Sequence, residues 1–184
     1  KVMLCGIDEA GRGSLAGPLV VAGAILKEPI NGLKDSKVLS AQKREKLFEI
    51  LQEKALFKIV FFDNDLIDTK GLSVCLHDAI QAIKTHFSDH EILMDGNCTF
   101  GISGIHTMVK ADAKVPEVSA ASILAKVSRD RFMDEMALIY PQYGFEKHKG
   151  YGSALHVNAI QTHGYSPIHR KSFHIKSLKQ PSLF

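Results

Sequence analysis

The chain has 184 residues, 45% hydrophobic and 23% charged, with a net charge of +3. That is the length of one ordinary domain with a sizeable core and the composition of a water-soluble globular protein, which argues against a disordered or fibrous chain. The longest apolar run, 15–26, is interrupted by glycine and proline and is too short to span a bilayer; it follows Asp8, Glu9 and Arg12, a lead-in unlike a secretory signal.

Val2 to Ile7 reads as a first strand running into Asp8, and Leu19 to Leu26 as a second, rich in valine and alanine. Gly11, Gly13 and Gly17 between them allow a tight turn with exposed backbone. Ser40 caps a helix expected to reach about Ala55, with Leu47, Ile50 and Leu51 on one face and no capping box. Leu56 to Phe62, β-branched and aromatic, reads as a strand. Leu72 to Phe87 has helical spacing in Leu72, Val74, Cys75, Ala79, Ile80 and Ile83.

Two short strands follow, Glu91 to Met94 ending at Asp95 and Ile105 to Val109 ending near Asp112. Val118 to Tyr140 is the clearest helix, with an apolar stripe of Ile123, Leu124, Val127, Phe132 and Met136. Its opening, Ser119 to Ser122, is small enough to let another backbone approach. After Pro141 the chain turns glycine- and histidine-rich, with a short helix expected over Ser153 to Thr162. Strands alternating with helices in this order predict an α/β fold with a mixed sheet covered by helices, and acids at strand ends.

Cys5, Cys75 and Cys98 are odd in number, far apart and without metal-ligand or redox spacing, which fits a reducing cytoplasm. The charge is uneven. From Lys147 onward there are six Lys or Arg, no Asp or Glu, and five of the nine histidines; the first 146 residues carry 17 basic and 20 acidic side chains. Such a basic stretch beside an acidic body suits a polyanion, although a solvated basic surface has the same composition. His148, His156, His163, His169 and His174 have no paired ligand spacing, so structural or phosphate-contact roles are expected ahead of zinc binding.

Asp8, Glu9, Asp95 and Asp112 each follow an apolar run rather than lying in a charged surface segment. Four carboxylates at one sheet edge would repel one another unless a cation lay between them, and oxygen ligands without cysteine favour Mg²⁺ or Mn²⁺ over zinc. Taken singly, each is as readily a turn or capping aspartate; periodicity alone leaves the two readings open.

The sequence resembles the bacterial type 2 ribonucleases H, the ribonuclease HII family. The likeness is carried by Gly6-Ile7-Asp8-Glu9-Ala10-Gly11-Arg12-Gly13, Leu15-Ala16-Gly17-Pro18, Asp35-Ser36-Lys37 and Met94-Asp95-Gly96-Asn97. It continues through Ala111-Asp112-Ala113-Lys114, 119–130, Lys149-Gly150-Tyr151-Gly152-Ser153 and His169-Arg170-Lys171-Ser172-Phe173. These blocks span nearly the whole chain in order. The resemblance implies a ribonuclease H-like mixed sheet flanked by helices, with a helical C-terminal part, in one catalytic domain over 1–178. It implies hydrolysis of the RNA strand of RNA–DNA hybrids and incision of DNA duplexes 5′ of an embedded ribonucleotide, leaving a 5′-phosphate and a 3′-hydroxyl, in ribonucleotide excision and primer removal.

Carried over by position, Asp8, Glu9, Asp95 and Asp112 are the catalytic and metal-binding four. Gly11, Arg12 and Gly13 read the ribose 2′-hydroxyl, Tyr151 packs on the sugar of the following nucleotide, and Lys37 contacts the phosphate backbone. Ser14 stands where many relatives have proline, and Ser153 where threonine is usual. Two divalent ions about 4 Å apart suit in-line phosphodiester hydrolysis, and the 2′-hydroxyl distinguishes RNA from DNA. On that logic a β-branched residue at Gly11 or Gly13 should block the approach to the hydroxyl.

The last residues, Gln180-Pro181-Ser182-Leu183-Phe184, resemble the short peptides that dock on the bacterial sliding clamp. Gln180, Leu183 and Phe184 would make that contact, within a tail of 179–184; a tail that folds back or frays is the alternative. Nothing in the sequence demands more than a monomer or a membrane. Two other functions fit the acidic set: a DNA nuclease of the same broad fold, such as a junction resolvase, and a hybrid-binding module without turnover.

Overall fold

The computed structural model describes residues 1–33 and 36–175. Five strands form one sheet: β1 (Leu4–Ala10), β2 (Leu19–Leu26), β3 (Ala55–Phe62), β4 (Glu91–Asp95) and β5 (His106–Met108), in the order β3-β2-β1-β4-β5. β1 pairs antiparallel with β2, and β2 with β3, while β1–β4 and β4–β5 are parallel. The sheet is therefore mixed, as the sequence predicts. Among the described residues six helices accompany it: α1 (Ala41–Lys54), α2 (Asn64–Lys70), α3 (Leu72–His86), α4 (Pro116–Ile139), α5 (Phe145–His148) and α6 (Ala154–His163).

Side-chain alternation along β2 sets the layers. Leu19, Val21 and Ile25 join Cys75, Leu76, Ile80 and Ile83 of α3 in one core. Val20, Ala22 and Ala24 join Leu47, Phe48 and Leu51 of α1 and Ala120, Ala121 and Leu124 of α4 in a second. Both faces of the sheet are thus covered, which is why β2 reads as an uninterrupted apolar run. The α4 side carries the smaller residues, so that helix comes close. A Cβ on Gly6 would stand 2.3 Å from the Glu117 carbonyl carbon, and one on Gly23 would stand 2.4 Å from Ile83 on the opposite face. Every residue from Val118 to Ala125 is buried, a wider contact than one apolar stripe implies.

Local signals account for most element ends. Ser40 accepts from the Lys43 N–H and starts α1; Ser153 accepts from the His156 N–H and starts α6. A serine does this as well as the threonine usual in the resembled family. Several expectations shift. β1 continues through both acids to Ala10, because Asp8, Glu9 and Ala10 still pair with Ala22, Val21 and Val20. α1 buries Phe48 rather than Ile50, and α3 buries Leu76 rather than Val74. The last strand is only three residues long, and Asp112 sits beyond it on a 3-10 turn, Ala111–Ala113. α2 and α5 had no sequence counterpart. Among the described residues no helix is long and apolar enough to cross a membrane.

Candidate active site

β1 and β4 run side by side in parallel with Ile7 opposite Met94, so the next residues along, Asp8 and Asp95, emerge together. The 3-10 turn delivers Asp112 from the other side. Its position is fixed by Ser119 Oγ, which donates to the Asp112 carbonyl, and by α4, which begins immediately after at Pro116. The three carboxylates each offer an oxygen within 4.8 Å of the others. Asp8 and Asp112 are buried, and Asp95 is half-buried. The Asp112 N–H also reaches Asp95 Oδ1 at 3.5 Å.

Glu9 lies next to this group but outside it. The pleat turns Asp8 toward the side of Gly6 and Ala10, and Glu9 toward the side of Cys5 and Ile7. Both still line one cavity of about 350 Å³ with Asp95 and Asp112. Glu9 Oε2 is buried and, among the described residues, has no hydrogen-bond partner, and Arg12 Nη1 stands 3.9 Å from Oε1. Burial pushes the Asp8 carboxyl well above the usual carboxylate range, and the charges of Glu9, Asp95 and Asp112 push the same way against the stabilising Glu9 N–H. Burial likewise raises Glu9, opposed by its contacts with Asp8 and Arg12. An orphaned carboxylate oxygen beside three crowded carboxylates fits a divalent cation, which would satisfy the oxygens and relieve the repulsion.

The cavity has further walls that sequence reading did not single out. Ser122, Lys126, Arg129 and Asp130 line it from one face of α4, and Ser36 hydrogen-bonds Ser122 across it at 2.9 Å. Their spacing along one helix face was the available signal. Lys126 pairs with Asp130 at 3.3 Å. Lys37 and Tyr151, both exposed, line the cavity too, and the Tyr151 hydroxyl accepts from the Gly11 N–H at 3.0 Å.

Two buried arginines hold the turn between β1 and β2. Arg170 donates to the carbonyls of Gly11 (2.5 Å), Arg12 (3.1 Å) and Gly17 (3.0 Å). Arg129 donates to Pro18 (2.8 Å), Ala16 (2.8 Å) and Lys149 (2.6 Å) and to Ser14 Oγ (2.7 Å), with its guanidinium 5.2 Å from the Tyr151 ring centre. Ser14 passes a further bond to the Gly11 carbonyl, so the hydroxyl that replaces a proline is used twice. Burial, then the Arg129 charge, pulls Arg170 down to about 9. Both polar backbone groups of Gly11 are therefore engaged inside the protein, the N–H by Tyr151 and the carbonyl by Arg170 and Ser14.

Three histidines, His156 and His169 buried and His148 half-buried, form a brace that reaches the Tyr151 carbonyl. Carbonyls only accept and backbone N–H groups only donate, so the partners fix the protons. His156 Nδ1 donates to the Tyr151 carbonyl, and His148 Nε2 donates to that of Tyr143. His148 Nδ1 accepts from Gly150, and His169 Nδ1 accepts from Ser166. His169 Nε2 then donates to His156 Nε2 at 2.8 Å. All three are neutral, with burial lowering His156 to about 4 and His169 to about 3. The structural role expected for these histidines matches this arrangement.

The basic C-terminal stretch is less open than its composition implies. Arg170 is buried and Lys149 is paired with Asp134; Lys176 and Lys179 lie outside the described residues, as do Gln180, Leu183 and Phe184.

Comparison with known proteins agrees with this geometry. The profile of the family described as Ribonuclease HII matches residues 5–176. A ribonuclease HII of Sulfurovum sp. is 56% identical over 181 residues, covering 98% of this chain and 96% of its own. Among solved structures, a complex of PCNA with ribonuclease HII from Archaeoglobus fulgidus aligns with a TM-score of 0.82 at 25% identity, covering 97% of this chain and 98% of the other. The ribonuclease H2 of Pyrococcus horikoshii aligns at 0.79 and 28% identity over 94% of both chains.

Proposed function

This chain belongs to the ribonuclease HII family, and we propose that it is a divalent-cation-dependent endonuclease acting on the RNA strand of RNA–DNA hybrids and on DNA duplexes 5′ of an embedded ribonucleotide. The observation that carries this reading is the convergence of Asp8, Asp95 and Asp112 within 4.8 Å, with the orphaned Glu9 oxygen beside them and the Gly11–Tyr151 contact at the same cavity. Asp8, Glu9, Asp95 and Asp112 would hold the cation, and their oxygen-only donor set favours Mg²⁺ or Mn²⁺. When bound, the cation supplies Lewis acidity to the phosphoryl oxygens and a lowered pKa to water.

The chain's own groups do the rest. Hydrolysis breaks the bond from phosphorus to the 3′-oxygen. Water supplies the new oxygen of the 5′-phosphate, and a proton ends on the 3′-hydroxyl. The carboxylates of Asp8, Asp95 and Asp112 would hold the cation close to where the reacting phosphate sits. Lys37 is placed for a neighbouring phosphate. The Gly11–Gly13 turn reads the ribose 2′-hydroxyl, the one group that tells RNA from DNA at a given site. Tyr151, fixed through its hydroxyl by Gly11 and through its carbonyl by His156, offers its ring to the next sugar.

The three unbridged thiols suit the cytoplasm. A monomer suffices for the site described. The tail residues Gln180, Leu183 and Phe184 are proposed to dock on the sliding clamp; the Archaeoglobus relative, solved with PCNA, supports an interaction of that kind.

The test is cleavage of a labelled duplex carrying one ribonucleotide, with and without Mg²⁺ or Mn²⁺, beside an all-DNA control. Cation-dependent incision 5′ of the ribonucleotide with the control intact is expected. Equal cutting of the control would replace this reading with a DNA nuclease, and cation-independent binding without turnover would replace it with a binding module.

A further inference from the structure

Arg170 is 1% exposed and, among the described residues, forms no ion pair. A buried charge without a carboxylate is costly, and here it is held almost wholly by backbone carbonyls. Two of them matter most. The carbonyl of Gly11 belongs to the same peptide unit as the N–H of Arg12, and the carbonyl of Arg12 to the same unit as the N–H of Gly13. Both accept from Arg170, at 2.5 and 3.1 Å. The described residues contain no cis peptide, and in a trans peptide the N–H points opposite to the C=O. Fixing both carbonyls on the buried guanidinium therefore turns both amides away from it, at the exposed tip of the turn. Among the described residues neither amide donates to a protein acceptor. A cation on the carbonyl side also polarises each peptide, making its N–H a stronger donor.

We propose that Arg170 is the positioning residue that aims the Arg12 and Gly13 amides, as a pair, at the 2′-oxygen of the ribonucleotide. The assignment rests on the reading of this turn as the ribose sensor. It makes selectivity for ribose depend on a side chain that touches no substrate. Consecutive backbone amides of this kind form a concave site for an oxygen acceptor. Arg129 holds the other end of the turn directly, through Ala16 and Pro18, and reaches the Gly11 carbonyl only by way of Ser14 Oγ, whereas Arg170 touches both peptides itself.

Arg170→Lys keeps the charge but cannot bridge two carbonyls with a planar fork. Binding is measured by fluorescence anisotropy with Mg²⁺ in an Asp112→Asn background, on two duplexes that differ by one 2′-hydroxyl. The preference for the ribonucleotide should fall about tenfold, as for loss of one charge-assisted bond, while all-DNA affinity holds within about twofold. An equal fall on both duplexes would mean a merely structural role or a phosphate contact, and would overturn the proposal. So would a preference that survives intact. A parent protein with no ribose preference would overturn the reading of the turn itself, a distinguishable failure. If Arg170→Lys does not fold, Phe173→Leu removes the ring 5.0 Å from the guanidinium and leaves the arginine in place. A roughly threefold fall in preference is then expected; no change would overturn the proposal.

Discussion

Replacing Gly11 with alanine should damage the fold, whereas the same change at Gly13 should leave it intact, although the two glycines occupy equivalent places in the Gly-Arg-Gly sequence. Gly11 has φ +84, a left-handed conformation that costs a residue with a Cβ about 1–2 kcal/mol. The new Cβ would stand 2.1 Å from Arg129 Nε and 2.5 Å from the Pro18 carbonyl oxygen. Neither neighbour can yield easily. Pro18 O is backbone, and Arg129 is pinned by four acceptors, so moving it breaks at least one charge-assisted hydrogen bond worth roughly 1.5–3 kcal/mol. Together these give a loss of about 3–5 kcal/mol, a large part of the roughly 5–15 kcal/mol typical of a domain. Gly13 has no positive φ, and no atom lies within 4 Å of its added Cβ, so Gly13→Ala should fall within about 0.5 kcal/mol of the parent. Urea unfolding of the three proteins measures both effects. Cleavage of a single-ribonucleotide duplex by Gly13→Val, at normal stability, then isolates function, and loss of cutting is expected from a blocked amide. A Gly11→Ala variant as stable as the parent, or a Gly13→Ala variant equally damaged, would refute the packing argument.

Asp112→Asn should abolish cleavage and keep duplex binding, and the rise in thermal midpoint that Mg²⁺ or Mn²⁺ gives the parent should shrink; wild-type cutting would remove Asp112 from the site. Because His156 and His169 are held at about 4 and about 3, below the ordinary 6.5, the unfolded chain binds more protons in acid. Their contribution is intact above pH 6.5 and is lost as pH falls from 6.5 toward 4, by at most about 1.4 kcal/mol per pH unit for each histidine. Urea midpoints between pH 7 and 5 read that slope, and His156→Gln should make it shallower. Deleting 180–184 should abolish binding to a sliding clamp in a pull-down and leave cleavage unchanged; clamp binding that persists would place the contact elsewhere.

The sequence made the sheet readable wherever burial dictates composition. β2 has the predicted bounds, Leu19–Leu26, because a strand covered on both faces has no polar residue to blur it. Ser40 and Ser153 marked helix starts because a capping hydroxyl has a local mechanism. β1 was cut short at Asp8, since a charged residue imitates a strand end; its pairing continues because β2 runs alongside as far as Val20. α2 went unseen because Ile67 is its only buried apolar residue, too little to give a period. Among the acids, Asp8 and Asp95 were legible as neighbours once strand ends were found, but the 3-10 turn that carries Asp112 was not. Least legible was Arg129, because a lone arginine is by default an exposed residue.

The two buried arginines and the carboxylates pose one physical problem with opposite signs. Asp8 and Asp112 are buried among like charges, and among the described residues Glu9 Oε2 has no hydrogen-bond partner. Arg129, in a wall of the same cavity, and Arg170 are buried without an ion pair among the described residues. The protein does not join the two sets, which would cancel both. It satisfies the cations with backbone carbonyls, so that a rigid turn results, and keeps the carboxylates crowded together, an arrangement that a divalent cation would relieve. Rigidity is needed where a single hydroxyl must be discriminated, since a mobile turn would follow either sugar. An unfilled charge is needed where a cation and a phosphate must meet, since a neutralised carboxylate would not hold them. Satisfying the arginines from the backbone and not from the carboxylates is what would let a single cavity both choose the sugar and hold the reacting phosphate.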